Sequence, residues 1–214
     1  LIDNTVEGLV DNAELVDTGD VTVQALAGGE QLSIAIGVAI NASSQSQQNS
    51  VSATGSLSLS IIDNTVRAAL NSTDLTGATG SGRDLDVTAY NRMFIGTGGG
   101  TLAFGGKTGA GGAVTYSDVA NVVTAEIAGG SAVSGVDTVK VRGFNATEIG
   151  AGAAHGQASA SNNANAVGGA VVITEIENDT TARITGLSSV TATTSVDVLA
   201  QDRGAEAGLE DIIE

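Results

Sequence analysis

The feature that most constrains this chain is a phrase that returns at long intervals. Leu1-Ile2-Asp3-Asn4-Thr5-Val6 reappears as Ile61-Ile62-Asp63-Asn64-Thr65-Val66. Weaker copies stand at Val119-Ala120-Asn121-Val122-Val123 and Ile176-Glu177-Asn178-Asp179-Thr180, and Ile212-Ile213-Glu214 opens the phrase once more. The positions of Asn4, Asn64, Asn121 and Asn178 differ by 60, 57 and 57, and a further asparagine would fall 37 later, at 215. A fixed long period means units stacked along an axis. The first three intervals are close to three times 19 or 20 and the last is close to twice 19, so the spacing predicts a coil of about 19 residues. The chain then divides into units 1–60, 61–117, 118–174 and 175–214, the last one coil short, within a single domain of about eleven coils.

Segment order is preserved inside each unit. A short β-like run follows the asparagine, as in Val66-Arg67-Ala68-Ala69-Leu70. Next come the alternating strands Asp20-Val21-Thr22-Val23-Gln24-Ala25, Asp84-Leu85-Asp86-Val87-Thr88-Ala89, Asp137-Thr138-Val139-Lys140-Val141 and Thr194-Ser195-Val196-Asp197-Val198. Their period of two marks strands with one buried face. Small-residue runs (Ile34 to Ala39, Ile149 to Ala153) and closing strands (Gly111 to Tyr116, Gly168 to Ile173) complete the unit. A sandwich of short strands has no reason to repeat its order at so long an interval, whereas a solenoid does. The expected fold is therefore all-β, a parallel β-helix. With rungs ~4.8 Å apart it would be a rod roughly 50 Å long.

Composition agrees with a narrow interior. Aromatics are 2%, proline and cysteine are absent, and the 42% hydrophobic content is mainly Val, Ala, Ile and Leu. The formal charge of −16, from 24 acidic and 8 basic residues, leaves no Lys/Arg cluster for nucleic acid or an anionic membrane. No apolar run reaches the ~20 residues of a spanning helix, so membrane insertion is not expected. The chain begins with Leu1, as a processed product or a segment of something longer would.

Units of the form N-T-V-x-A-x-I, D-V-T-V-x-A, I-A-I-G-x-A and G-G-A-V resemble the repeats of giant bacterial secreted and surface proteins. Among these are filamentous-haemagglutinin-like adhesins, autotransporter passengers and leukotoxin-type exoproteins. The resemblance implies a right-handed parallel β-helix, export to the bacterial cell surface or extracellular space, and a role in adhesion or as a stalk. The partners it implies are a host or neighbouring-cell surface or a glycan. It brings no catalytic residues.

Candidate sites are few. Gly80-Ser81-Gly82-Arg83-Asp84-Leu85-Asp86 approaches one calcium-binding nonapeptide, but Thr79 replaces the first glycine, Asp86 fills the apolar position and no tandem copy follows. Asp84 and Asp86, and Asp17 with Asp20, are the carboxylates that would hold calcium; the competing reading is a turn before a solvated strand. No other cofactor is expected. His155, the single histidine, reads as a solvent-facing turn residue. An enzyme acting on polysaccharide would need a special cluster of acids and bases, whereas Asp84, Asp137 and Asp197 recur as repeat pattern. No catalysis is expected. Asn4, Asn64, Asn121 and Asn178 are expected at solenoid corners, where asparagine tolerates left-handed turns. The matching ends, Leu1-Ile2-Asp3 and Ile212-Ile213-Glu214, suit stacking of one copy on the next or continuation in a longer chain, because unpaired strand edges are templates.

Overall fold

The computed structural model describes residues 1–40, 51–78, 82–104, 108–158, 165–186 and 188–203. Every regular element among them is a strand: β1 (Ile2–Asp11), β2 (Glu14–Thr18), β3 (Val21–Ile40), β4 (Val51–Asn71), β5 (Asp74–Gly77), β6 (Asp84–Phe104), β7 (Thr108–Ala128), β8 (Ala132–Ala158), β9 (Asn165–Ile184) and β10 (Ser189–Arg203). They form two parallel sheets. Sheet A has the order β1-β4-β7-β9; sheet B has the order β2-β5-β8-β6-β3, with β10 also on β8. The chain alternates between them, so β1–β3, β4–β6, β7–β8 and β9–β10 are four successive rungs, each laid parallel on the one before.

The register corrects the expected coil. Asn4 pairs with Asn64, Asn64 with Asn121 and Asn121 with Asn178, so each neighbour in the ladder stands one whole repeat away. One rung thus takes the whole repeat. The segments read as three stacked coils are consecutive parts of one wide rung, and about eleven coils become four rungs among the described residues. The proportions invert accordingly. A strand of 20 residues such as β3 extends roughly 66 Å, while four rungs stack over only ~15 Å.

At one end of the rungs the chain turns twice, and three strand segments enclose the main core. Its columns repeat the sequence: Val6, Val66 and Val123; Val10, Leu70, Ile127 and Ile184; and, facing them, Val23, Val87 and Val141. Leu70, Leu75, Leu85 and Ile127 are fully buried. Burial of each such side chain contributes about 1.5–3 kcal/mol, and the space between the sheets admits branched aliphatics. The two turns are made by left-handed residues, Asn12 (φ 50°), Ser72 (φ 48°) and Gly129 (φ 69°) at the first and Asp17 (φ 59°) and Gly135 (φ 70°) at the second. Gly77 stacks directly against Gly135 there, and a Cβ on Gly77 would collide with the Gly135 carbonyl oxygen.

Toward the other end the rung becomes a wing of two sheets face to face. Its inward residues are small: Ser58, Ser60, Thr97, Thr115 and Ser117 are buried. Hydroxyls meet across the gap, Ser33 Oγ with Ser58 Oγ at 3.0 Å and Thr97 Oγ1 with Ser117 Oγ at 2.8 Å. His155 belongs to this interior and is not a turn residue. It lies within β8 with Nδ1 2.7 Å from Thr101 Oγ1, and Gly111 and Gly168 leave room for its ring.

Candidate assembly interface

The phrase asparagines are not at corners. Asn4, Asn64, Asn121 and Asn178 lie inside β1, β4, β7 and β9, and their inward phase follows from alternation, since Ile2, Asn4 and Val6 share a face. Asn64 and Asn121 are 3% and 1% exposed, which makes them core residues. A second column faces them from sheet B, where Asn91 pairs with Asn145. Asn121 sits at the junction. Its Oδ1 accepts from Asn64 Nδ2 (2.9 Å) and Asn91 Nδ2 (3.1 Å), while its Nδ2 donates to Asn178 Oδ1 (2.8 Å) and Thr147 Oγ1 (2.9 Å). Two acceptor and two donor sites are the full capacity of a carboxamide. Asn91 Nδ2 also donates to Asn145 Oδ1 at 2.9 Å. Such stacked amides lock register, because a slip of one residue would turn them out of the core and a slip of two would keep them inside but unpaired.

The ladder has a direction. Donors run from Asn64 through Asn121 to Asn178, so among the described residues Asn178 ends it with an Nδ2 that has no acceptor, at the outer edge of β9. At the opposite edge Asn4 is exposed on β1. The same two edges bound a column of alternating charge on the outer face of sheet A. Glu7 lies 3.9 Å from Arg67. Arg67 donates to Glu126 Oε1 through Nε (2.9 Å) and Nη2 (2.6 Å), and Arg183 donates to Oε2 through Nε (2.9 Å), with Nη2 at 2.8 Å. Burial pushes the Glu126 carboxyl up, but hydrogen bonds from Arg67 and Arg183, with their charges, outweigh it and hold the group below the ordinary glutamate range. Continuing the column from β9 to a strand like β1 would bring the half-exposed Arg183 diagonally beside a Glu7-like acid, within reach of long side chains.

Of the carboxylates considered for calcium, those of Asp86 and Asp20 have other partners. Asp86 accepts from Arg142 Nη2 at 2.5 Å and from the Thr88 hydroxyl. Asp20 Oδ1 accepts the Asp84 backbone N–H at 3.1 Å, capping the start of the strand above it. Asp17 forms a turn. Asp137 repeats the capping role: the Thr193 hydroxyl and then the Gly82 N–H bind its carboxylate and hold its pKa below the usual range. Among the described residues no three His, Cys, Asp or Glu converge on a metal position. Gly80 and Ser81 of the nonapeptide-like stretch, and Ile212, Ile213 and Glu214, lie outside the described residues. Leu1, Ile2 and Asp3 are on the first rung, where Ile2 pairs with Ile62 and Asp3 with Asp63.

The acidic character collects on the outer face of sheet A at Asp3, Asp63, Asp118, Glu175, Glu177 and Asp179. Desolvation and then Asp118 and Glu175 raise the pKa of Tyr116 beside it. Sequence reading missed Asn91 and Asn145, although Ala89-Tyr90-Asn91 and Gly143-Phe144-Asn145 are equivalent phrases. It also missed Glu126, whose two arginines come from different repeats. A scan against protein-family models, a search of curated proteins and a search of solved structures return no match. The likeness to filamentous-haemagglutinin-like repeats therefore rests on the sequence motifs alone.

Proposed function

We propose that this chain is a structural, adhesive β-solenoid segment of an exported bacterial surface or extracellular protein, working through its extended acidic face and not through catalysis. The observation that carries the reading is the asparagine ladder, which links rung to rung and presents a free donor at the β9 edge. A right-handed path is the one that parallel crossover connections almost always take. Stability in such an array is a sum of rungs and nearest-neighbour interfaces, so a rung is secured by what lies on both sides of it. The identity and location of the parent protein come from the motif resemblance described above.

A tandem fusion of two copies tests the structural part. If rungs couple across the junction, the fusion unfolds at a clearly higher denaturant midpoint than a single copy; equal midpoints would overturn the reading. Antibody labelling of intact source cells tests export, and signal only after lysis would remove that element. A second reading, a filament subunit that stacks end to end, is favoured by the complementary edges, with Arg183 and Asn178 on one and Glu7 and Asn4 on the other. Fibres of the single chain in electron micrographs, dissolving to a 20.9 kDa band under denaturing conditions, would select it.

A further inference from the structure

The wing reverses the usual distribution of polarity. Residues 31–40, 51–62, 93–104, 108–117, 149–158 and 165–174 contain no Asp, Glu, Lys or Arg. Their small hydroxyl-bearing side chains face inward, whereas Leu32, Ile34, Ile36, Val38 and Ile40 on β3 point outward and are 54–74% exposed. Such a face on a soluble chain marks an interaction surface. Its relief is uneven in a particular way. In register with the β3 residues, Leu32 is followed across the sheet by Gly96 and Gly150, Ile34 by Gly98 and Gly152, and Ile36 by Gly100 and Ala154. A ridge of branched side chains therefore runs beside a shelf two strands wide, open at Gly98, Gly100 and Gly152, narrowed at Gly96 and Gly150 by Leu32 and Phe94 and closed at its far end by Leu102. Around a Cβ at Gly152 no atom would lie within 4 Å.

We propose that a second copy of this chain docks on this face, sheet B against sheet B, about a two-fold axis that lies between the two faces and runs parallel to the strands over the β6 row at Gly98. That operation sets Ile34 over Gly152 of the other copy, Leu32 over Gly150 and Ile36 over Ala154, so each ridge lies on the other's shelf. An isologous contact requires such self-complementarity. Charge favours the same occupant: two chains of −16 repel across their acidic faces, and the uncharged wing is where they can approach. Ten-residue strands of about 33 Å would also match a lipid core, and that occupant is one of the outcomes of the test below. Each face measures about 33 by 14 Å, or roughly 900 Å² for two copies. That is below the ~1,200 Å² of stable complexes, so the dimer is concentration-dependent.

Sedimentation velocity on the whole chain from about 1 to 100 µM, a range suited to a weak contact, tests this. The wild type should pass reversibly from monomer to dimer. Gly152→Val should keep the melting temperature and circular dichroism of the wild type but stay monomeric throughout, and Ile34→Ser should raise the apparent Kd at least tenfold. Asn178→Asp, which removes the outward donor of the end-stacking edge, should leave dimerisation unchanged; that separates this contact from rung stacking. A wild type that is monomeric at every concentration, or a Gly152→Val variant that dimerises normally, would overturn the proposal. So would flotation of the wild type with phosphatidylcholine vesicles, which would give the face to lipid.

Discussion

Replacing Asn121 with leucine deletes the junction of the internal amide network while keeping the branching and the number of side-chain heavy atoms. The wild-type residue uses both lone pairs and both amide hydrogens, and it is 1% exposed. Its loss strands one hydrogen on Asn64 Nδ2 and one on Asn91 Nδ2, both within the core. Leaving a buried donor unpaired costs about 1–3 kcal/mol, so Asn121→Leu should lower stability by about 2–5 kcal/mol even though leucine is the more hydrophobic residue. Asn178 Oδ1 and Thr147 Oγ1 add little, because both belong to partly exposed residues. Asn4→Leu, at the exposed start of the same column, should change stability by no more than about 0.5 kcal/mol. Equilibrium urea unfolding of the three proteins gives the numbers, with an unchanged m-value showing that the same surface is lost in each. If Asn121→Leu falls within about 0.5 kcal/mol of wild type, the amides contribute no more than a hydrocarbon would, and the argument that they specify register fails.

Two further perturbations probe the charge column and the turn. The Glu126 carboxyl titrates lower in the folded chain than in the unfolded one, so its contribution is complete above about pH 5 and is lost as pH falls through the folded value. Glu126→Gln should cost about 1–2 kcal/mol at pH 7, allowing for the partly exposed arginines, and the difference from wild type should shrink below about pH 4; a pH-independent difference would refute the assignment. Gly77→Ala places a methyl against the Gly135 carbonyl, whereas Gly19→Ala meets nothing within 4 Å. Thermal melts should show a large drop for the first and little change for the second, and equal melts would mean the two glycines do not stack.

The sequence disclosed the repeat to the residue. All four phrase asparagines fall in one column, and parallel in-register strands are what a fixed long period demands. The rung length was misjudged because 57 divides by 19. The segments within a unit, Asp84 to Ala89 and Phe94 to Gly96 for instance, do not resemble each other, and likeness returns only after a whole unit, which is the spacing the register adopts. Placing the asparagines at corners followed their turn propensity. The stronger signal was local: Ile2, Asn4 and Val6 alternate with Asp3 and Thr5, so burial of the isoleucine and valine carries the asparagine inside. The corners went to Asn12, Asp17, Ser72 and glycines, which stand where alternation breaks. In the wing, hydrophobic patterning points the wrong way. Two sheets that close through serine, threonine and glycine leave their isoleucines outside, and only knowledge of both sheets reveals it.

The width of the rung has a mechanical consequence. Strands that lie across the stacking axis meet a pull along that axis one pair at a time, so hydrogen bonds open in sequence and no single strand bears the load. Each opened rung frees one full repeat of chain, about 200 Å of contour at ~3.5 Å per residue. A few such rungs in a tether would let out slack many times their folded height before the chain became taut.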